Sequence, residues 1–354
     1  RYTSLVTELP STVPFVGPES QEREKKLLFE ARLGANENMF GPSPKALSAL
    51  KKYSSEQWMY GDPTSFELRS ALAEKHKVSI DNIVVGEGID GLLGYLVRLF
   101  ISTGDHVVTS DGAYPTFNYH VSGFGGNLHK VPYLGDSEDI GALIKKAQFV
   151  DAKLIYFANP DNPMGTINSA EKIEKIIKRI PEDCILCLDE AYVDFVDPSE
   201  KYNCIPLVNK HKNLLLLRTL SKGYSLAGLR FGYGIADPSL IEPMISKTRD
   251  SYNTDYVSQK LATAALLSQD YAKNIWDKIR WSRQDLMRRL MDLGLKALPS
   301  QSNFLLTQVP EEVGASTLYK KLKEKNIYVR YFNEDPLRNN IRISIGSEKE
   351  NEVL

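Results

Sequence analysis

Between Ser65 and Ala236 short, uninterrupted apolar runs alternate with amphipathic stretches, and this alternation leaves few folds open. The runs are Ile83-Val84-Val85, Val107-Val108-Thr109, Leu154-Ile155-Tyr156-Phe157, Ile185 to Leu188 and Leu214 to Leu217. A strand with one wet face would alternate apolar and polar residues. These runs do not alternate, so they fit strands buried on both faces of a mostly parallel sheet, with helices above and below it. The apolar segment after Val85 and the helically spaced stretch from Glu171 to Arg179 supply such helices. Beyond Ser239 the pattern changes. Long helical stretches (Val257 to Leu267, Tyr271 to Leu293) lead to Asn303-Phe-Leu-Leu306, a helix from Ser316 to Lys325, and Ile341-Arg-Ile-Ser-Ile345. The expected class is therefore α/β, a three-layer α/β/α unit followed by a smaller α+β domain. The expected boundaries are an N-terminal arm over 1–40 packing with the small domain, a large unit over 41–250 and a small one over 251–354.

Composition narrows the class further. At 354 residues the chain is long enough for about two domains. Lys+Arg 44 against Asp+Glu 45 leaves a net charge of -1, unlike a nucleic-acid binder with its basic stripe. Arg1 to Ser20 has no apolar core and carries three prolines, so it does not read as a signal peptide. No stretch approaches the roughly 20 apolar residues that cross a bilayer. The expected location is cytoplasmic, and three cysteines, which cannot all pair, agree with a reducing compartment. Cys184 and Cys187 form a C-x-x-C, but their odd spacing along an apolar strand puts the thiols on opposite faces, so both read as core residues. The five histidines show no ligand spacing, and no metal is expected. Glu348 to Leu354 reads as a helix just beginning, so a further C-terminal piece is left open.

Four motifs carry chemistry. Gly86-Glu-Gly88-Ile-Asp-Gly91 is a literal G-x-G-x-x-G between an apolar run and a helix-like segment. Asp105, 19 residues on, is a candidate ribose-binding acid. More generally such a loop brings backbone N–H groups and a helix N-terminus close to a phosphate, and a dinucleotide, a simpler phosphate and a plain turn all stay open on this motif alone. Arg218-Thr-Leu-Ser221-Lys222, with Arg230 shortly after, sets a lysine among two hydroxyls and a guanidinium. A lysine near a phosphate site suits a Schiff base with a phosphorylated aldehyde cofactor. Asn159-Pro-Asp-Asn162-Pro163 follows a strand and reads either as a turn or as part of a site. Asp189, in Leu188-Asp189-Glu190-Ala-Tyr192, ends a buried strand at the edge where open α/β sheets bind ligands, and it calls for a cationic partner.

These residues together resemble the pyridoxal-phosphate (PLP) aminotransferases of fold type I, and within them the histidinol-phosphate aminotransferase branch. The likeness runs over nearly the whole chain, from Leu33-Gly-Ala-Asn-Glu-Asn38 and Tyr60-Gly-Asp-Pro63, through the four motifs, to Ala227-Gly-Leu-Arg230 and Ile341-Arg-Ile-Ser-Ile-Gly346. The resemblance implies PLP as cofactor, with Lys222 carrying it and shuttling the Cα proton. It implies Asp189 on the pyridine nitrogen, Asn162 and Tyr192 on the phenolic oxygen, and Tyr114 stacked on the ring. Gly88, Ile89 and Asp90 would hold the phosphate with Thr219, Ser221 and Arg230, and Tyr60 would reach it from the partner subunit of a homodimer. Arg342 would clamp the substrate carboxylate, with Arg330 on a substrate phosphate. One phosphate then accounts for the glycine loop, and no dinucleotide is needed.

The implied partners are an amino donor, an amino acid or a histidinol-phosphate-like amino-alcohol phosphate, and 2-oxoglutarate. The chain departs from the branch at Pro14-Phe15-Val-Gly-Pro18, where a phosphate-contacting tyrosine is common. Loss of that hydroxyl weakens phosphate recognition by about 1.5–3 kcal/mol. An aromatic amino-acid aminotransferase and a decarboxylase of the threonine-phosphate type are the alternatives. A cofactor-sensing regulator would need a DNA-binding extension that the chain has neither the basic segment nor the length to supply.

Overall fold

A computed structural model describes residues 1–9, 17–112 and 114–354. Twelve strands form two sheets among them. The chain enters through helices at Ser4–Glu8 and Pro18–Lys25 and strand β1 (Ala31–Leu33). It then builds β2 (Ile83–Gly86), β3 (His106–Ser110), β4 (Asn127–Val131), β5 (Leu154–Ala158), β6 (Ile185–Asp189), β7 (Leu214–Thr219) and β8 (Gly232–Ala236). The C-terminal part adds β9 (Lys296–Ala297), β10 (Phe304–Gln308), β11 (Ile327–Tyr331) and β12 (Asn340–Ser344).

The large sheet has the order β2-β8-β7-β6-β5-β3-β4 and is parallel except at β8, which runs antiparallel to both its neighbours. The apolar runs are its inner strands, and every residue of β5, β6 and β7 is buried. Successive residues feed opposite layers, as the strand's period of two requires. Ile155, Leu186, Leu188, Leu214 and Leu216 join a core under the helices Phe66–His76, Ile140–Val150 and Ala170–Ile177. Tyr156, Cys187, Leu215 and Leu217 face the helices Gly88–Phe100 and Pro115–Gly123 on the other side. Cys184 and Cys187 accordingly sit in different cores, free and buried. The α/β class with three layers is what the apolar runs predict.

Edge strand β4, Asn-Leu-His-Lys-Val, is the run that composition hides, because it is partly exposed and polar. It also brings His129 beside His106 on β3, Nε2 to Nδ1 at 2.9 Å, although the two lie 23 residues apart. No group of residues among those described could hold a metal ion.

The second sheet has the order β1-β11-β12-β10-β9. Within the first forty residues, then, Ala31–Leu33 is a strand of this sheet, parallel to β11. The helix Tyr256–Leu266, capped by Asp255, packs instead on the helices Pro44–Tyr53 and Phe66–His76. No helix among the described residues is long and apolar enough to cross a membrane.

Candidate active site

A cavity of about 470 Å³ opens at the C-terminal edge of the parallel strands, between the two sheets. Such a sheet edge collects the loops that follow every parallel strand, which is why ligands bind there. Asp189 ends β6, Thr219 ends β7, and Asn162, Tyr114 and Lys222 follow β5, β3 and β7 in their loops. Arg342 and Arg330 reach the same space from β12 and β11. Asp105 immediately precedes β3, at the opposite edge of the sheet, where its carboxylate accepts from Ser102 N at 2.8 Å. The candidate ribose-binding acid is therefore remote from the cavity.

The glycine motif ends β2 and starts the helix Gly88–Phe100, whose unpaired N–H groups face this space. Gly88 has φ +77, and a Cβ there would lie 2.7 Å from Nη2 of Arg230. Gly232 on β8 lets the loop close down, since a Cβ on it would meet the Gly88 carbonyl carbon at 2.6 Å. Only glycine fits at either place. Ile89 and Asp90 line the cavity, with Thr219, Ser221 and Arg230 opposite. Thr219 and Ser221 hydroxyls meet at 2.9 Å, and Arg230 pairs with Asp90 at 3.3 Å. Backbone donors, two hydroxyls and a guanidinium converge as an anion-binding cup.

Asp189 is buried. Its carboxylate accepts from Tyr156 Oη at 2.7 Å and Ala191 N at 3.0 Å. Burial pushes its pKa up to about 6, and no lysine or arginine pairs with it among the described residues. A buried carboxylate in that state is suited to a cationic N–H. Lys222 Nζ donates to the Ala35 carbonyl at 3.2 Å, and burial, helped by the Arg342 charge, lowers its pKa to about 8. An amine poised there is close to the protonation state a nucleophile and proton carrier needs.

Tyr192 Oη accepts from Asn36 Nδ2 at 3.0 Å and from Asn162 Nδ2 at 3.4 Å. Arg342 donates to Asn162 Oδ1 at 2.5 Å and to the Gly34 carbonyl at 2.9 Å, and its buried Nε has no partner among the described residues. Phe332 packs near two guanidiniums, its ring centre 5.5 Å from Arg330 Cζ and 5.8 Å from Arg342 Cζ. Tyr114 lines the cavity, its pKa raised chiefly by burial.

Of the residues that the resemblance implies for the site, Gly88 and Tyr60 stand outside the cavity lining. Gly88 shapes the cup from behind. Tyr60 is exposed and stacks on Tyr252, ring centres 4.4 Å apart, on the outer surface. Phe15 lies outside the described residues. Sequence reasoning missed Asn36, Tyr156, Phe332 and the Ala35 carbonyl. Asn36 stood inside a recognised motif, but no role followed from its position. It also missed Asp161, which is pushed up to about 6 by burial and accepts from Tyr133 Oη at 3.0 Å and Met164 N at 2.9 Å. Beside it Glu138 is fully buried and held well above the carboxylate range by desolvation and by Asp161. The two carboxyls sit together behind the loop that presents Asn162, each raised chiefly by burial.

The model of the family "Aminotransferase class I and II" matches residues 31–354. A histidinol-phosphate aminotransferase of Rippkaea orientalis is 35% identical over 345 residues, covering 98% of this chain and 94% of that protein. The crystal structure of histidinol-phosphate aminotransferase from Sinorhizobium meliloti in complex with pyridoxal-5'-phosphate superposes with a TM-score of 0.94 at 40% identity, over 100% of this chain and 95% of that one. A threonine-O-3-phosphate decarboxylase from Porphyromonas gingivalis, at 20% identity and a TM-score of 0.77, shares the fold. With a parallel sheet, an anion cup, a buried carboxylate and a depressed lysine at one edge, and this match over nearly its full length, the chain belongs to the class I and II aminotransferases.

Proposed function

We propose that this aminotransferase uses PLP and moves an amino group from a histidinol-phosphate-like donor to 2-oxoglutarate. The observation that carries the donor is the placement of Arg330 and Arg342, cross-strand partners on β11 and β12 and both near the Phe332 ring, on one cavity wall. One arginine suffices for a carboxylate, and two side by side suit the more highly charged phosphate of an amino-alcohol phosphate as well as the two carboxylates of 2-oxoglutarate. The relatives named for histidinol phosphate support the same choice.

The residues fit the cofactor. The cup at Gly88, Ile89, Asp90, Thr219, Ser221 and Arg230 takes its phosphate, and the cation-seeking Asp189 takes the ring nitrogen. When bound, PLP supplies an aldehyde for the amino group and a protonated ring that accepts the electrons released at Cα. Asp189 keeps a proton on that ring nitrogen by its negative charge, which Tyr156 and Ala191 hold in place. Asn162 and Tyr192 present hydrogen-bonding groups to the phenolic oxygen, and Tyr114 covers one face of the ring. Lys222 has the pKa to take a proton from Cα and return it elsewhere. Arg342 and Arg330 would hold the anionic group of either substrate, the donor's phosphate or the oxo acid's carboxylates, in the cavity that Lys222 also lines.

A homodimer completes the site in this reading. Trp58, Tyr60, Phe66 and Tyr252 are all more than half exposed, Tyr60 stacked on Tyr252, apolar surface that a second copy would cover and from which Tyr60 would reach the partner's phosphate cup. The test is a panel of amino donors with 2-oxoglutarate, followed through glutamate formed and the cofactor's absorption. Histidinol phosphate should be preferred at least tenfold in kcat/KM over aromatic amino acids. A preference for an unphosphorylated donor, or release of CO₂ without need of 2-oxoglutarate, would overturn the substrate assignment.

A further inference from the structure

Asn36 sits in the left-handed region, φ +56, and is almost wholly buried. All its polar groups are used. Its N–H donates to Ser344 Oγ at 2.9 Å, and its carbonyl accepts from Asn303 Nδ2 at 3.1 Å. Ser344 Oγ lies 3.0 Å from Asn36 Oδ1. Ser344 is buried, and among the described residues Asn36 Oδ1 is the acceptor within reach of its hydroxyl proton, so the oxygen of the Asn36 amide is set at Ser344. Nδ2 is therefore the atom at Tyr192, 3.0 Å from Oη.

The direction of that bond has a consequence. Tyr192 Oη accepts from Asn36 on one side and from Asn162 on the other. With both flanking groups donating, the tyrosine's own proton finds no acceptor among these neighbours and is left to point into the cavity. Ser344 and Arg342 are two apart on β12, hence on the same face, and both reach back to residues 34–36. One short segment thus touches the hydroxyl, the arginine and, through the Ala35 carbonyl, Lys222.

We infer that Asn36 is a positioning residue for the reaction: by donating to Tyr192 it turns that hydroxyl into an obligate donor toward the cofactor's phenolic oxygen, and through Ser344 it ties this setting to the strand that carries the substrate-clamping Arg342. The inference rests on the reading that Tyr192 meets the phenolic oxygen.

A donor on that oxygen favours its anionic form, so weakening it raises the pH at which the bound cofactor's visible band changes. The experiment is a spectrophotometric pH titration of purified holoenzyme for wild type, Asn36→Gly, Ser344→Ala, Tyr192→Phe and the Asn36→Gly/Tyr192→Phe double variant. Glycine accepts φ +56 and keeps the backbone, so folding is preserved. Asn36→Gly should raise the midpoint by about half to one pH unit, the three- to tenfold effect of one neutral hydrogen bond. Ser344→Ala should move it less, in the same direction. In the Tyr192→Phe background, Asn36→Gly should add nothing. An equal shift with and without the Tyr192 hydroxyl, or no shift in Asn36→Gly while Tyr192→Phe shifts, overturns the inference alone. An unmoved midpoint in Tyr192→Phe overturns the underlying reading of Tyr192, and the inference with it.

Discussion

The depressed pKa of Lys222 makes a sharp statement about how the cofactor-free protein takes up PLP. Burial lowers the amine from its ordinary 10.5 to about 8, and Arg342 is the next contributor. Burial disfavours the ammonium form, so the neutral, nucleophilic amine appears at lower pH than on a surface lysine. At pH 7 an amine titrating at about 8 is neutral in about one molecule in eleven, against about one in three thousand at the ordinary value. Attachment at pH 7 should therefore run roughly 300-fold faster than to an unperturbed lysine of equal reactivity. The assay is stopped-flow mixing of PLP with cofactor-free protein from pH 6 to 10, following the visible band. The logarithm of the rate should rise with a slope of about one below pH 8 and flatten above it. Arg342→Gln, which removes a neighbouring positive charge, should move the bend upward toward the ordinary lysine value. A rate that keeps climbing with unit slope through pH 9.5 would show an ordinary amine and refute the reasoning. So would a bend unmoved by Arg342→Gln, for the electrostatic part of it.

Asp189→Asn keeps the shape of the site but removes the charge that holds the ring nitrogen protonated, so PLP should stay bound while transamination falls at least about a hundredfold. Activity within a few-fold of wild type contradicts the assignment. Arg342→Lys cannot reproduce a fork that reaches both Asn162 Oδ1 and the Gly34 carbonyl, and KM for 2-oxoglutarate should rise about tenfold or more with a smaller change in kcat. Steady-state kinetics decide it, and an unchanged KM removes Arg342 from the clamp. Below the site Arg218 Nε pairs with Glu190 Oε2 at 2.7 Å, both buried. Glu190→Gln should cost about 3–5 kcal/mol in urea unfolding of the cofactor-free protein, because it strands a buried guanidinium. A loss under about 1 kcal/mol would mean the charge finds another partner.

The large sheet was legible because its inner strands are buried on both faces, and burial on both faces leaves no alternative to an unbroken apolar run. β4 and β1 were not legible as strands for the opposite reason. An edge strand carries polar residues such as Asn127 and Lys130, and a three-residue strand such as Ala31–Leu33 has too little length for any period to register. The candidate site divides the same way. Lys222, Asp189 and Arg230 announce themselves because a lysine, a carboxylate and an arginine next to buried strands demand a chemical reason. Asn36 and Tyr156 do not. Their importance comes from Tyr192 and Asp189, 156 and 33 residues away in sequence, and only the folded chain sets those neighbours beside them.

Net charge hides the most directive feature of this cavity. Lys222, Arg230, Arg330 and Arg342 line it, while Asp90 and Asp189 are the carboxylates among the lining residues, so a chain of net charge -1 encloses a locally positive site. The charges are also sorted. Arg230 is paired with Asp90 at the cup end, whereas Arg330 and Arg342 share the far wall, with Phe332 near both and no carboxylate paired to Arg342 among the described residues. Burial lowers the pKa of Arg342 to about 10, the mark of a cation held where water serves it poorly. A guanidinium kept dry beside a second one is stabilised most by an incoming anion, and the pairing of β11 with β12 sets the two side by side. On the proposed function, the far wall would select substrates by their anionic groups, while the cup end would take the cofactor's phosphate. This sorting of like charges to two ends of one cavity, with the lysine and the buried carboxylate between them, is what an aminotransferase acting on anionic donors and acceptors requires.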